Sequence, residues 1–299
     1  MSFTIATTID EAVAALAAGA RPIAGGSDLV VGARHGKVPL PDDMVAIDRI
    51  PELSTIDRAA DETAIGAAVN HARLMTDPRI VEEFTAVADA AALVGSPATR
   101  NVGTIGGNVM NASPAMDTGA PLVVLGASAV LRSSAGERRL PVEELWAGPG
   151  ATTATPDELC VALAVPNAAG RHGSAYVRLE YRRAMEIAVV GAAASVTLAA
   201  DGTVAAARVA LAAVAPTIIE VTGLGELLEG QTLNEATLDA VAEAASARSQ
   251  PISDLRASDH YRRHTVGVMA RRAVEAAGRR ATGEQIAVPV NRALGIGAA

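Results

Sequence analysis

Residues 22–29 read Pro22-Ile23-Ala24-Gly25-Gly26-Ser27-Asp28-Leu29, and this stretch indicates the architecture of the first part of the chain. Pro22 to Ala24 predicts a short strand, and the apolar run from Leu29 predicts a helix with Ser27 or Asp28 as its N-cap. Consecutive glycines permit a positive φ and a close approach to a ligand, so that successive N–H groups form a concave nest for phosphate oxygens. A strand, a glycine turn and a helix N-terminus together are typical of an anion-binding site.

A second segment of the same character follows at residues 103–108, Gly103-Thr104-Ile105-Gly106-Gly107-Asn108. One nest suits one phosphate, whereas two nests suit a pyrophosphate. Either segment alone is more often an ordinary turn, so it is the pair that favours a dinucleotide ligand. The polar stretch 111–117 that follows lacks a clear periodicity, as functional loops often do.

Other motifs of nucleotide binding and catalysis are absent from the sequence. There is no GxGxxG fingerprint and no GxSxG nucleophile elbow, and the segment 32–37 has one residue too few between its glycines for a P-loop. His260 and His264 form an i, i+4 pair without the carboxylate of a HExxH metal site. We therefore predict two exposed polar residues there and no protein-bound catalytic metal. The carboxylates of the chain are scattered and nothing pairs them, so the residues alone leave acid–base catalysis open.

The composition of the chain argues against several classes of function. The net charge is -8, no basic block offsets it, and one Trp, three Tyr and two Phe are the only aromatic residues, so nucleic acid is not expected as a partner. The N-terminus has no signal-peptide pattern and the alanine-rich runs are too short to span a membrane, so we expect a cytoplasmic protein. Cys160 is the single cysteine, so an iron–sulfur cluster cannot be held by this chain alone.

The remaining pattern predicts a mixed α and β chain. Thr8 to Glu11 has the spacing of a capping box, and Asp201-Gly202 predicts the turn of an antiparallel hairpin. The predicted helices cover about 10–18, 78–93, 234–248 and 261–277, and the predicted strands 44–48, 63–66, 129–131, 159–163, 193–198 and 204–211.

The two glycine segments with their flanks, residues 21–29 and 100–117, resemble the flavoprotein, or medium, subunit of carbon monoxide dehydrogenase-like molybdenum hydroxylases. The same module forms the middle domain of xanthine dehydrogenase. The resemblance continues through 50–53, 181–188 and 256–263, up to about residue 277.

The fold class that this resemblance implies is α+β. A PCMH-type FAD-binding domain of two α/β subdomains would span 1–170, with a subdomain break near 55–60. A CO dehydrogenase flavoprotein-like C-terminal domain, with a small antiparallel sheet and helices, would span 171–280, and 281–299 would form a tail.

The resemblance also implies a noncovalent FAD whose pyrophosphate lies between the two glycine segments. The residues that carry over for this are Pro22, Ile23, Ala24, Gly25, Gly26, Ser27, Asp28, Leu29, Gly103, Thr104, Ile105, Gly106, Gly107 and Asn108. Asp117 matches an acidic position that contacts the adenosine side. Arg178, Arg183, Glu186 and Ile187 lie in the segment that approaches the flavin, and Cys160 falls where the family usually has an aliphatic residue. The chain departs from the family pattern at two of these positions: Glu186 stands where the family often has Asp, and Ser27 stands where Thr is common. Both changes keep the chemistry of the side chain.

The partners implied by the resemblance are a large molybdenum-cofactor subunit and a small subunit with 2Fe–2S clusters, assembled as a dimer of heterotrimers. Electrons would pass from the clusters to the flavin of this chain and on to an external acceptor. The acceptor (NAD, oxygen or a quinone) and the substrate of the molybdenum subunit stay open. Two alternatives also stay open: a stand-alone FAD-dependent oxidase or reductase of the vanillyl-alcohol-oxidase type, and a non-catalytic scaffold that retains the fold.

Overall fold

The computed structural model describes residues 2–36, 39–182 and 184–296. The strands are β1 (Ser2–Ile5), β2 (Arg21–Ile23), β3 (Asp43–Ala46), β4 (Ile56–Arg58), β5 (Glu62–Gly66), β6 (Ser128–Ser133), β7 (Gly136–Pro141), β8 (Trp146–Gly148), β9 (Ala151–Thr152), β10 (Leu159–Pro166), β11 (Arg171–Leu179), β12 (Val190–Leu198), β13 (Val204–Ala212) and β14 (Ile219–Glu220).

The helices are α1 (Ile9–Ala17), α2 (Ser27–Arg34), α3 (His71–Leu74), α4 (Pro78–Glu83), α5 (Thr85–Leu93), α6 (Pro97–Val102), α7 (Ile105–Met110), α8 (Gly119–Val124), α9 (Val142–Leu145), α10 (Leu224–Leu228), α11 (Glu235–Arg248), α12 (Asp259–Ala281) and α13 (Val290–Ala293), with a 3-10 turn at Pro51–Ser54. The chain forms two compact units. Unit 1 contains residues 1–73, 97–112 and 126–167, and unit 2 contains 74–96, 113–125 and 168–299.

Unit 1 contains a parallel sheet and an antiparallel sheet. The parallel sheet has the order β1-β3-β2, and the antiparallel sheet has the order β4-β5-β10-β6-β7. Helix α1 supplies Val13 and Leu16 to a core that also includes Val45 from the first sheet and Val161 from the second. The apolar residues of α1 recur at helical spacing, which places them on the face toward this core.

The N-terminus of α1 is capped differently from the predicted capping box. The Thr8 side chain accepts a hydrogen bond from the Glu11 N–H, as expected for an N-cap. The Glu11 carboxylate, however, accepts from the Thr7 N–H at 2.7 Å instead of reaching the N-cap residue itself. The local sequence therefore places the helix start correctly but not the reciprocal bond.

Unit 2 is built on the antiparallel sheet β11-β12-β13-β14, which has helices on both faces. A Cβ at Gly173 would lie 2.3 Å from the Ala277 carbonyl oxygen of α12, so glycine lets that helix lie directly against the strand. The neighbouring Ser174 points to the opposite face, where its Oγ accepts a hydrogen bond from the Ala86 N–H at the start of α5. Because both faces are covered, β12 is almost continuously apolar and buried.

In unit 2, one sequence prediction needs correction and another is confirmed. The predicted helix 78–93 is broken at Phe84, which has φ -127° and ψ 45° and is fully buried, so that α4 and α5 are separate helices. The predicted hairpin is present, with Gly202 at φ 90° in its turn. Its register shifts between Thr197 and Leu198.

The expected tail from residue 281 is packed into unit 2 over its described part, up to residue 296. Val290 and Asn291 are only 0% and 1% exposed. The Asn291 side chain accepts from the Arg178 N–H at 3.1 Å and donates to the Arg178 carbonyl at 2.9 Å. One amide side chain thereby satisfies both backbone groups of Arg178 in the edge strand β11. A hydrophobic pattern in the sequence does not reveal such a bond.

Candidate functional site

The first glycine loop, residues 24–29, leaves the carboxyl end of β2 and enters α2. Gly26 is the N-cap of α2 in the left-handed region, at φ 66°, with no side-chain capping bond. The predicted N-cap at Ser27 or Asp28 is therefore wrong, because both residues already lie in the first turn of the helix. A ligand at this position would lie at the end of a parallel strand, where open α/β sheets commonly bind ligands.

The second glycine loop, residues 103–108, has helical glycines instead of a left-handed turn. Thr104 is the N-cap of α7, and its Oγ1 accepts a hydrogen bond from the Gly107 N–H at 3.1 Å. Gly106 and Gly107 both lie inside α7 and neither has a positive φ. Glycine is required at 106 for a different reason, since a Cβ there would lie 2.5 Å from the Ala67 Cβ and 2.7 Å from its carbonyl oxygen.

Backbone hydrogen bonds hold the second glycine loop against residues 67–71 of unit 1. The N–H groups of Gly106 and Ile105 donate to the carbonyls of Ala67 and Val69 at 2.9 and 3.0 Å. The His71 N–H donates to the Gly103 carbonyl at 3.1 Å. These bonds fix the position of the loop without using a charged side chain.

The two glycine loops are in direct contact. A Cβ at Gly25 would lie 1.8 Å from the carbonyl oxygen of Val102 and 3.0 Å from the Gly103 nitrogen. A Cβ at Gly103 would lie 3.3 Å from His71 Cδ2 and 3.5 Å from Ser27 Oγ. Only residues without side chains allow this approach, so the predicted pair of glycine segments does converge on one place in unit 1.

The first glycine loop presents a run of unused backbone donors. Within the described residues, the N–H groups of residues 25–29 make no hydrogen bond to another part of the chain. The first N–H groups of any helix lack intrahelical partners, and those of α2 also carry the positive end of its dipole. Gly25 and Gly107 are exposed, so a ligand can reach both loops.

This arrangement fits a pyrophosphate. Its oxygens need several hydrogen-bond donors at close range, and adjacent backbone N–H groups with no intervening Cβ provide them. The Ser27 hydroxyl, beside Gly103, adds a donor at the junction of the loops. Two surface depressions of unit 1, one lined by Asp10 and Arg132 and one by Thr4 and Glu11, include no residue of either loop.

The predicted residues Asp117 and Arg178 belong to unit 2 and form one buried ionic cluster. Asp117 accepts from Arg178 Nη1 at 2.7 Å and from the Tyr176 hydroxyl at 2.8 Å, and Arg178 Nε donates to Glu180 at 2.8 Å. Burial opposes the charge of Arg178, but the adjacent carboxylates outweigh it and raise the pKa of the guanidinium. Both carboxylate oxygens of Asp117 therefore have partners within unit 2, and its contact to a ligand stays a prediction.

The other predicted residues are placed as follows. Glu186 is half-buried and pairs with Arg182 at 3.3 Å, while Ile187 is exposed. Arg183 lies outside the described residues. Cys160 is buried in β10, where burial raises the pKa of its thiol to about 12 and its Sγ lies 3.9 Å from the Ala162 carbonyl oxygen. Such a thiol is protonated and inert, so a role of Cys160 in ligand binding stays a prediction.

Several residues that shape the site give no sequence signal. Ala67, Val69 and Val102 act through their backbone atoms, which no motif records. His71 belongs to no motif of the sequence and stands between Asn70 and Ala72, so nothing in its surroundings points to the glycine loops. Among the described residues, no cluster of His, Cys, Asp and Glu is arranged to hold a metal ion, and no helix is long and apolar enough to cross a membrane.

Comparison with known proteins shows which family this chain is similar to. Residues 1–168 match the family described as FAD binding domain in molybdopterin dehydrogenase, and residues 175–277 match the CO dehydrogenase flavoprotein C-terminal domain. The chain is 32% identical to the 6-hydroxypseudooxynicotine dehydrogenase complex subunit alpha of Paenarthrobacter nicotinovorans, over 93% of this chain and 95% of that protein.

The similarity extends to a carbon monoxide dehydrogenase in both sequence and structure. The chain is 32% identical to the carbon monoxide dehydrogenase medium chain of Hydrogenophaga pseudoflava, over 90% of this chain and 94% of that protein. A chain in the solved carbon monoxide dehydrogenase of the same organism, in a form that lacks the Mo-pyranopterin moiety of the molybdenum cofactor, matches with a TM-score of 0.88 and 31% identity. That match covers 94% of this chain and 98% of the other.

Proposed function

Because this chain belongs to the family of FAD-binding medium subunits of molybdenum hydroxylases, we propose that it accepts electrons from a 2Fe–2S partner subunit and passes them to an external acceptor. The predicted family, α+β fold class, oxidoreductase class and FAD cofactor are confirmed. The electron-transfer role, the partners and the individual FAD-binding residues are proposals.

The observation that carries the proposal is the convergence of the two glycine loops in unit 1. Residues 25–29 offer unused N–H donors, and the approach of Gly25 to Val102 brings the second glycine loop beside them. We infer that these loops bind the pyrophosphate of FAD, with the α2 N-terminus stabilising its negative charge. Donation from backbone N–H groups and hydroxyls fits a subunit whose task is to bind and orient a cofactor.

FAD supplies redox chemistry that exchanges electrons singly with an iron–sulfur cluster and in pairs with an acceptor. The protein's own task is to hold the dinucleotide in one place. The backbone bonds from Ile105 and Gly106 to residues 67–69 serve this task, because they fix one half of the site before any ligand binds.

The proposed partners are a large molybdenum-cofactor subunit and a small 2Fe–2S subunit, in a dimer of heterotrimers. Two observations support separate partner chains. The sequence has one cysteine, Cys160, which is buried and cannot serve a thiolate-ligated cluster without further ligands. The relatives are named as a medium chain and as a subunit of a dehydrogenase complex. The cytoplasmic location stays a prediction.

The first experiment is to purify the full chain and to measure its flavin absorbance and the FAD that denaturation releases. We expect a yellow protein with about one FAD per chain. A colourless protein that takes up no added FAD would refute the proposal. Native co-purification would then identify the subunits that accompany it.

The second experiment tests electron transfer in the native complex. The complex is reduced with dithionite, and reoxidation by NAD, oxygen or a quinone is followed with and without FAD. We expect reoxidation to require FAD, while the iron–sulfur clusters remain reducible in the FAD-free complex. Reoxidation at the same rate without FAD would exclude the proposed role, and turnover of an organic substrate by the isolated chain would favour the stand-alone oxidase.

A further inference from the structure

His71 lies at the junction of the two glycine loops, although its residue type and sequence position suggest no role in ligand binding. Its backbone N–H holds the Gly103 carbonyl, and its ring edge lies against Gly103 beside Ser27 Oγ. The residue is only 2% exposed. The ring and the Ser27 hydroxyl thus line the same space beside Gly103, where a purely structural contact would be served better by an apolar side chain.

The imidazole of His71 is neutral at physiological pH. Burial, and to a smaller extent the nearby charge of Arg100, lowers its pKa to about 4. A neutral imidazole carries one hydrogen, on either Nδ1 or Nε2. The choice between these tautomers determines which side of the ring can donate a hydrogen bond.

The surroundings of the ring select the tautomer. Nδ1 is buried and has no hydrogen-bond partner among the described residues. A buried donor without an acceptor is rarer in proteins than a buried acceptor without a donor, which favours an unprotonated Nδ1. Nε2 is bonded to Cδ2, the ring atom that faces Gly103, so the protonated nitrogen is the one on the side of the glycine loops.

We propose that His71 completes the pyrophosphate site by donating a hydrogen bond from its Nε2–H to a phosphate oxygen of the dinucleotide held by the glycine loops. The inference rests on the proposed FAD site. It assigns a side-chain donor to a site otherwise composed of backbone N–H groups and hydroxyls, and this donor adds no positive charge.

The test uses the full chain with its flavin removed, and two probes. ADP contains the pyrophosphate without the flavin ring, and riboflavin contains the ring without phosphate. His71→Phe keeps a planar ring but has no donor, and His71→Gln restores an N–H donor. The matched control is His172→Phe, because His172 also has an unpartnered buried ring nitrogen but belongs to unit 2.

We expect His71→Phe to weaken ADP binding by about tenfold to a hundredfold, the range for one hydrogen bond to a charged group. His71→Gln should recover part of this loss, and His172→Phe should bind ADP like the wild type. Riboflavin binding should be unchanged in all three variants. Unchanged ADP binding in His71→Phe, or an equal loss of ADP and riboflavin binding, would overturn the proposal.

A second measurement does not depend on a variant that folds. In the wild-type chain with 15N-labelled histidine, NMR should show His71 as the Nε2–H tautomer at neutral pH, and ADP should shift that proton downfield. An Nδ1–H tautomer, or an Nε2–H signal that ADP leaves unchanged, would contradict the inference. A wild-type chain that binds neither ADP nor FAD would instead refute the proposed FAD site itself.

Discussion

Replacing Gly25 by alanine should separate the two glycine loops and abolish FAD retention. The new Cβ would lie 1.8 Å from the carbonyl oxygen of Val102 and 2.4 Å from its carbonyl carbon. Both are backbone atoms, so no side-chain rotation relieves the clash. An ordinary contact begins near 3.4 Å, and the loops must therefore move apart by roughly 1.5 Å.

A displacement of this size removes hydrogen bonds to the ligand, because N–H donors at about 2.9 Å would then lie beyond bonding range. The loss of two hydrogen bonds to charged oxygens costs about 3 to 6 kcal/mol, which corresponds to at least a hundredfold weaker binding. Overpacking by one methyl group should destabilise the fold by about 1–3 kcal/mol, so the chain should still fold.

The assay compares the FAD content of purified Gly25→Ala with that of the wild type, then measures the Kd for FAD and the Tm of each protein. Gly32→Ala is the matched control, because Gly32 lies in α2, the helix that follows the loop of Gly25, and a Cβ there would meet no atom within 4 Å. It should keep wild-type FAD affinity and gain up to about 1 kcal/mol of stability from its helix propensity. Wild-type FAD binding by Gly25→Ala would refute the reasoning that the loops must touch.

Three further predictions concern stability. Arg178→Met should lower the free energy of unfolding by about 3–5 kcal/mol in chemical denaturation, because it leaves two buried carboxylates without their cation; a loss below about 1 kcal/mol would contradict the ionic cluster. Asn291→Ala should cost about 1–3 kcal/mol, because both backbone groups of Arg178 lose their partner, and an unchanged Tm would show that residues 281–296 do not stabilise the sheet. The Arg138 side chain and the Thr155 N–H lower the pKa of Glu158 to about 2 from an ordinary 4.5, so the stabilisation by Glu158 is present above pH 4.5 and is lost as pH falls toward 2. Glu158→Gln should therefore flatten the fall of Tm across that window, and a fall parallel to the wild type would contradict the assignment.

Local features of the fold were predictable where one short segment contains all the interacting atoms. Asp201 accepts a hydrogen bond from the Thr203 N–H and Gly202 takes a positive φ, so the hairpin turn depends on three consecutive residues. Asn234 and Thr237 form a reciprocal capping box that begins α11 close to its predicted start. Such bonds are encoded by spacing alone.

The two glycine loops depend on contacts between distant parts of the chain as well as on local spacing. The sequence identified both segments and, through their flanks, the family and its cofactor. It gave the wrong reason for the second pair, since Gly106 and Gly107 are helical, and Gly106 is small because the Ala67 backbone lies against it. Likewise, nothing in the sequence predicts that Asp117 pairs with Arg178 across 61 residues of chain.

The sequence by itself thus determined the mixed α and β class, the two glycine segments and the family, because these depend on residue type and short spacing. Only the tertiary structure decided that Gly25 touches Val102, that the His71 ring lies against Gly103 and that Asn291 closes the edge of β11. The physical reason is that these contacts join backbone atoms or single side chains that are distant in the chain. Their geometry is set by the packing of whole elements, which leaves no periodic pattern in the residues concerned.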